Sequence, residues 1–298
     1  MQPSAKLTRA LNQGDRSYNT FLGEWWYRKS RDATHRRAYA RIVDHVVRAF
    51  RSRGRLPRLV MDYACGTGGT LLELARRFPA AKLVGIDGSE RMLELARYDL
   101  QRSGQDADFV EAASVFSKKG PRIRLAQTPL PDFSLPSGVA DAVLFLFPNM
   151  NFSASHIARL QEQIFGDRWK CNVARLLSRL PDLDGPRDNT PPETIYEDLL
   201  FERAMSRNIH RLLKRNGLWF KADYSNCVRQ DLSELIQWRM LFSESALDAN
   251  IDETPQQDLF ELLKCTYHRS AVIRDVYEQT HKACDRTGGF MISVLRAR

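Results

Sequence analysis

From about residue 56 onward the chain alternates two patterns, short apolar runs and longer stretches in which apolar side chains recur every third or fourth position. The first pattern predicts strands and the second amphipathic helices. Strands are expected at Arg58 to Tyr63, Lys82 to Asp87, Arg122 to Gln127, Ala140 to Phe147 and Gly217 to Tyr224, with a terminal pair at Leu235 to Phe242 and Gly289 to Leu295. Helices are expected at Gly69 to Arg77, Ser89 to Ser103, Asp106 to Lys118 and Pro192 to Lys214. Ser89 followed by Glu90 is a good helix opening, a hydroxyl N-cap with an acid in the first turn. Gly217, just after Lys214 and Arg215, marks a helix end with basic residues where the dipole favours them. Strands and helices in turn imply an α/β fold built on a mostly parallel sheet.

Two segments break this rhythm. Residues 1 to 55 precede the first strand and read as helical, and residues 151 to 190 interrupt the connection after the fourth. The second segment carries Ile157, Leu160 and Ile164 at helical spacing, then Trp169 and a turn-rich piece from Pro181 to Pro192. Both are expected at the carboxyl edge or flank of the sheet, where α/β enzymes build lids and caps. The chain therefore reads as one catalytic domain over 1–298, with a helical lid at 1–55 and a cap insertion at 151–190.

Composition narrows the class. A chain of 298 residues, 43% hydrophobic and 27% charged, suits a large globular domain and excludes disordered, collagen-like and small disulfide-stapled proteins. The longest apolar run, Val139 to Phe147, is broken by Asp141 and falls far short of the roughly 18 residues of a membrane span. Met1 to Asp15 is polar, without the apolar core of a secretory signal. Five scattered cysteines form no Cys-x-x-Cys pair, and no histidine stands at zinc-ligand spacing, so a reduced, cytoplasmic, metal-free protein is expected.

The net charge of +9 would suggest nucleic acid if it were spread over the surface. It is not spread. Residues 28–58 hold eleven of the 45 basic side chains and two of the 36 acidic ones, which leaves 34 of each elsewhere. On a helix from about Arg36 to Phe50, Arg37, Arg41, Asp44, Arg48 and Arg51 share one face, and Ile42, Val43, Val46, Val47 and Phe50 the other. The surplus thus reads as a solvated stripe, and a small-molecule partner is favoured over nucleic acid; the oligomeric state stays open.

The chemistry sits after the first strand, in Asp62-Tyr63-Ala64-Cys65-Gly66-Thr67-Gly68-Gly69. Small residues at 64, 66 and 68 let the backbone turn sharply and a ligand approach the main chain, while the next helix presents free amides. A second strand then ends in Asp87, nineteen residues after Gly68, where an acid hydrogen-bonds a ribose diol. A dinucleotide site would want a third glycine at Leu71, and Asp62 would repel a phosphate but welcome an ammonium.

These residues resemble the class I S-adenosylmethionine-dependent methyltransferases. Asp62-x-Ala64-x-Gly66-x-Gly68 is similar to their first motif, and Asp87-Gly88-Ser89-Glu90-Arg91-Met92 to their second. The resemblance implies a Rossmann-like fold with a seven-stranded sheet in the order 3-2-1-4-5-7-6, and S-adenosylmethionine as methyl donor or as the substrate itself. It implies that Asp87 takes the ribose hydroxyls, with Gly88 beside it and Met92 packed on adenine. It also implies that Ala64, Gly66, Thr67 and Gly68 wrap the cofactor, and that Gln127 or Thr128 replaces the acid often found after the third strand. The loop leaving the fourth strand, Phe147-Pro148-Asn149-Met150, would adjoin the methionine end, and Tyr18 with Trp25 and Trp26 would fold over the cofactor or staple the first helix.

For the reaction, Asn149, Tyr196 and Ser225 form a neutral polar set that suits an amine nucleophile delivered unprotonated. The expectation is methyl transfer to a small molecule. The same trio is similar to that of the azetidine-2-carboxylate synthases, which cyclise S-adenosylmethionine and release methylthioadenosine. The loop lacks the (Asp/Asn)-Pro-Pro-(Tyr/Phe) of base-amino methyltransferases, and tRNA or rRNA methylation ranks below both readings.

Overall fold

The computed structural model describes residues 18–19, 21–117, 119–128, 130–132, 134–147, 205–225, 259–270 and 289–298. Helices α1 (Phe21–Ser30) and α2 (Ala33–Arg51) lead into β1 (Leu59–Tyr63), followed by α3 (Gly69–Arg77), β2 (Lys82–Asp87) and α4 (Glu90–Arg102). Strands β3 (Ala107–Phe109), β4 (Ile123–Gln127), β5 (Ala140–Leu146), β6 (Leu213–Ser225), β7 (Phe260–Arg269) and β8 (Gly289–Ala297) complete the sheet. Its order is β3-β4-β2-β1-β5-β6-β8-β7, with β8 antiparallel to both neighbours and the other pairings parallel. The expected order of seven is present, and β3 adds an eighth strand outside it.

Alternate residues of each strand enter opposite cores, as the pleat requires. Val60, Leu83, Leu125, Leu144 and Phe220 pack with Ile42, Val43, Val46 and Phe50 of α2, Leu71 and Leu74 of α3, and Leu93 of α4. Their neighbours Met61, Val84, Ala126, Val143 and Trp219 pack on the other face with Met205, Ile209 and Leu212 of the helix over 205–212. Two covered faces explain why β5 is buried throughout.

The N-terminal helices have clear local causes. Asp32 caps α2, its Oδ1 accepting from Thr34 N and His35 N at 2.8 Å each. The helix buries its apolar stripe while Arg37, Arg41, Arg48 and Arg51 stay at least partly in solvent, as the amphipathic pattern predicts. At its middle, buried His45 meets His268 of β7 with 2.9 Å between their Nε2 atoms.

Three expectations need correction. Asp106 to Lys118 is not a helix but β3 and a single 3-10 turn at Ala112–Ser114. Residues 107–109 pair with β4 instead, and the guanidinium of Arg124, buried in β4, gathers the following turn by donating to the carbonyls of Val115, Ser117, Lys119 and Pro121. The helix before β6 ends at 212 rather than Lys214, since Leu213 already pairs with Ala140 of β5; Lys214 Nζ meets Asp141 at 2.8 Å from within the strand. The partner of β8 at the sheet edge is Phe260–Arg269; the expected strand Leu235 to Phe242 lies outside the described residues, as do the cap at 151–190 and positions 192–204.

Candidate functional site

Strand β1 has β2 on one side and β5 on the other, so chain order reverses there and a crevice opens beyond the carboxyl ends of these strands. The cleft encloses about 900 Å³, its open mouth included. Its floor is the β1–α3 loop, its sides the ends of β2 and β5, and its remaining wall comes from the N-terminal helices.

The loop reaches this shape through three left-handed residues, Ala64 (φ 65°), Gly66 (φ 52°) and Gly68 (φ 76°). Gly68 opens α3, and a Cβ on it would lie 2.9 Å from the Ala96 Cβ of α4. Only glycine allows both the dihedral and that approach. Ala64 carries a side chain in the same region, a strain of the kind that clusters at sites.

Two acids face the cleft in opposite circumstances. Asp87 is held by the backbone, Oδ2 accepting from Gly66 N at 2.8 Å and Oδ1 from Ser89 N at 2.9 Å. Its remaining lone pairs suit a diol. Asp62 is 2% exposed, and its Oδ2 is buried with no hydrogen-bond partner among the described residues. Burial, with the Asp87 charge adding to it, pushes its carboxyl up to about 8. A buried acceptor left unpaired costs about 1–3 kcal/mol, so the arrangement suits a site that a cationic ligand completes.

The second motif and the N-terminal segment lock together. Ser89 Oγ accepts from Met92 N at 3.2 Å as the cap of α4 and donates to Asn19 Oδ1 at 2.8 Å. Asn19 Oδ1 also accepts from Arg91 N at 3.1 Å. These bonds fix the residue next to Tyr18, which lines the cleft. On α1, Ser30 Oγ lies 2.7 Å from Thr67 Oγ1 and donates to Tyr27 O at 3.0 Å, tying the helix to the glycine loop. Tyr39 of α2 lies on Gly69, where a Cβ would come within 2.7 Å of its ring.

Of the residues expected at the cofactor, Tyr18, Asp62, Ala64, Gly66, Thr67, Asp87, Gly88, Met92 and Phe147 line this cleft. Gly68 packs just behind it. Gln127 and Thr128 do not join the wall. Gln127 Nε2 donates to Gly88 O at 3.2 Å, and the buried Thr128 hydroxyl donates to Asp132. Asn149 and Tyr196 lie outside the described residues, and Ser225 is described as the last residue of β6. Sequence reasoning missed Ser30, Tyr39, Cys65, Gly69, Thr70, Leu130 and Leu146 in the lining, and placed Trp26 there only as one of two options. The signal that could have found Tyr39 is the second glycine of Gly68-Gly69, which leaves room for a ring.

The residues present fit S-adenosylmethionine on structural grounds: an acid with no partner on Oδ2 among the described residues for its ammonium, a cradle that side chains would fill, and an anchored acid at the end of the next strand for its ribose. Residues 60–115 match the family model described as "Methyltransferase domain". Over 99 residues the chain is 32% identical to the demethylmenaquinone methyltransferase of Thermus thermophilus, covering 33% of this chain and 38% of that one. Over 46 residues it is 48% identical to the trans-aconitate 2-methyltransferase of Methylobacterium radiotolerans, covering 15% and 18%. The matched region thus spans less than two fifths of these curated relatives. Among solved structures, the magnesium protoporphyrin IX methyltransferase of Synechocystis PCC 6803 with bound SAH is similar at 15% identity and a TM-score of 0.48, over 95% of this chain and 97% of that one. By its glycine loop, its two acids and the match over residues 60–115, the chain carries a region similar to the S-adenosylmethionine-dependent methyltransferase domain.

Proposed function

We propose that this protein transfers a methyl group from S-adenosylmethionine to a small-molecule acceptor, the nucleophile being an amine or a similar group. The observation that carries the reading is the pair of acids flanking one glycine loop, Asp62 near the end of β1, buried with no partner on Oδ2 among the described residues, and Asp87 at the end of β2, anchored by two backbone amides. When bound, the cofactor supplies a sulfonium whose carbons are electrophilic. Asp62 would neutralise the ammonium, Asp87 would hold the ribose diol, and Met92 with Leu130 would pack the base. Tyr18, Trp26, Tyr39 and Phe147 present aromatic surface that favours a cation and keeps water out.

Among the described lining residues there is no histidine, and in this reading both acids are taken up by the cofactor. That favours an acceptor whose lone pair is already free, held in line at about 3 Å from the carbon it attacks. In this reading residues 1–55 act as a lid, residues 151–190 as a cap, and Asn149, Tyr196 and Ser225 orient the nucleophile.

The test is product analysis. The purified protein is incubated with S-adenosylmethionine alone and then with fractionated small metabolites. Methyl transfer predicts S-adenosylhomocysteine only when an acceptor is added. Methylthioadenosine accumulating from S-adenosylmethionine alone would overturn it in favour of intramolecular cyclisation.

A further inference from the structure

We propose that Asp62 holds a proton while the cleft is free of cofactor and gives it up to solvent when an ammonium group docks against it, so that cofactor capture is a proton-releasing step. The inference rests on the proposed use of S-adenosylmethionine and deepens it. Its geometric basis is the position of Asp62 at the end of β1, under the loop, lining the cleft yet 2% exposed, with Oδ2 unpartnered among the described residues. A charged carboxylate in such a place would be poorly hydrated and, among the described residues, without a counter-ion.

Among the described residues, the groups around it give no relief. From β2, Asp87 adds a like charge. From α2 comes Tyr39, whose hydroxyl is pushed up by burial and then by the charges of Asp62 and Asp32, and so offers no cation. From the loop comes the Cys65 thiol, raised by burial and by the same two acids, Asp87 and Asp62. Asp87, by contrast, accepts two backbone N–H bonds. The resulting asymmetry sets an unpartnered acid beside a hydrogen-bonded one in a single cleft.

The balance of the step is simple. The Asp62 O–H bond breaks, its proton passes to solvent buffer, and the carboxylate formed pairs with the –NH3+ of the amino-acid end; no group is oxidised or reduced. A carboxylate that must first lose its proton makes association weaker at low pH, about tenfold per pH unit well below the Asp62 value. The opposite sign holds for stability of the free protein. A carboxyl raised above its unfolded value stabilises the fold below the unfolded pKa, and that contribution is lost as pH rises through about 8.

The experiment titrates the full chain with S-adenosylhomocysteine at pH 6.5, where the ligand ammonium is charged, by calorimetry in buffers of different ionisation enthalpy. The expected result is a binding enthalpy that varies with the buffer by close to one proton released. Methylthioadenosine, which keeps the adenosine and lacks the ammonium, is expected to release none. Binding without proton release overturns the proposal alone, and so does equal release with methylthioadenosine. No binding of S-adenosylhomocysteine at all overturns the functional reading and this inference with it. A second measurement needs no ligand: wild type is expected to lose stability between about pH 5 and pH 8 relative to Asp62→Asn, whose amide is permanently neutral. Parallel pH profiles of the two proteins would contradict a proton on Asp62.

Discussion

Gly68 shows how tightly the loop is drawn. Its φ of 76° and the 2.9 Å that would separate a Cβ at this position from the Ala96 Cβ are two separate objections to any side chain. Gly68→Ala is expected to cost about 2–3 kcal/mol, from the left-handed backbone and from forcing α3 and α4 apart. A urea titration checks it through a lower midpoint at unchanged slope. Residues of this kind were legible in the sequence because their chemistry is local: a turn that needs glycine, and acids at the ends of two adjacent strands. Ser30 and Tyr39 were not legible, since they reach the cleft only through the packing of α1 and α2 against the loop. The side-chain partners of Gln127 and Thr128 were not legible for the converse reason. Each stands where an adenine contact is expected, but nearer polar groups, Gly88 O and Asp132, claim its side chain first.

Elements were legible in proportion to how cleanly burial divides their faces. Helix α3 starts and ends where the pattern places it, and α2 follows its apolar stripe. Strand β7 at the sheet edge is mostly half-exposed or exposed, with Leu262 and Leu263 both partly in solvent, so its apolar period is weak. What the pattern could not reveal is the clasp between α2 and β7. Burial pushes the His45 imidazole down to about 4, with Arg48, His268 and Lys264 adding to the effect, and burial lowers His268 as well. A base lowered below its unfolded value near 6.5 contributes stability that is complete above that value and lost as pH falls toward the folded one. Between pH 7 and pH 5 the wild type is expected to lose about 1–2 kcal/mol through this contact, allowing for its partial exposure. His45→Gln is expected to flatten that part of the profile, measured by urea unfolding at each pH. An unchanged profile would mean that the pair does not titrate with folding.

At the scale of the whole molecule, the sheet order brings the loop of β1, the acid of β2 and the exit of β5 to one crevice, and α2 turns its charge away from the core. No helix among the described residues is long and apolar enough to cross a membrane. The exposed Arg37, Arg41 and Arg51 make a stripe on one helix, so RNA binding is expected only at low ionic strength, falling steeply with added salt. A filter-binding series with tRNA between about 0.02 and 0.2 M salt checks this, and salt-resistant binding would restore a nucleic-acid partner. If the cleft is a site for an adenosyl amino acid, titrating the full chain and its Asp87→Ala variant with S-adenosylhomocysteine and, separately, with NAD gives a clear outcome. One-to-one saturation by S-adenosylhomocysteine is expected within about 1 μM to 1 mM, with loss of at least about tenfold in the variant and no response to NAD. Saturation by NAD, or S-adenosylhomocysteine binding that ignores Asp87, would contradict that assignment.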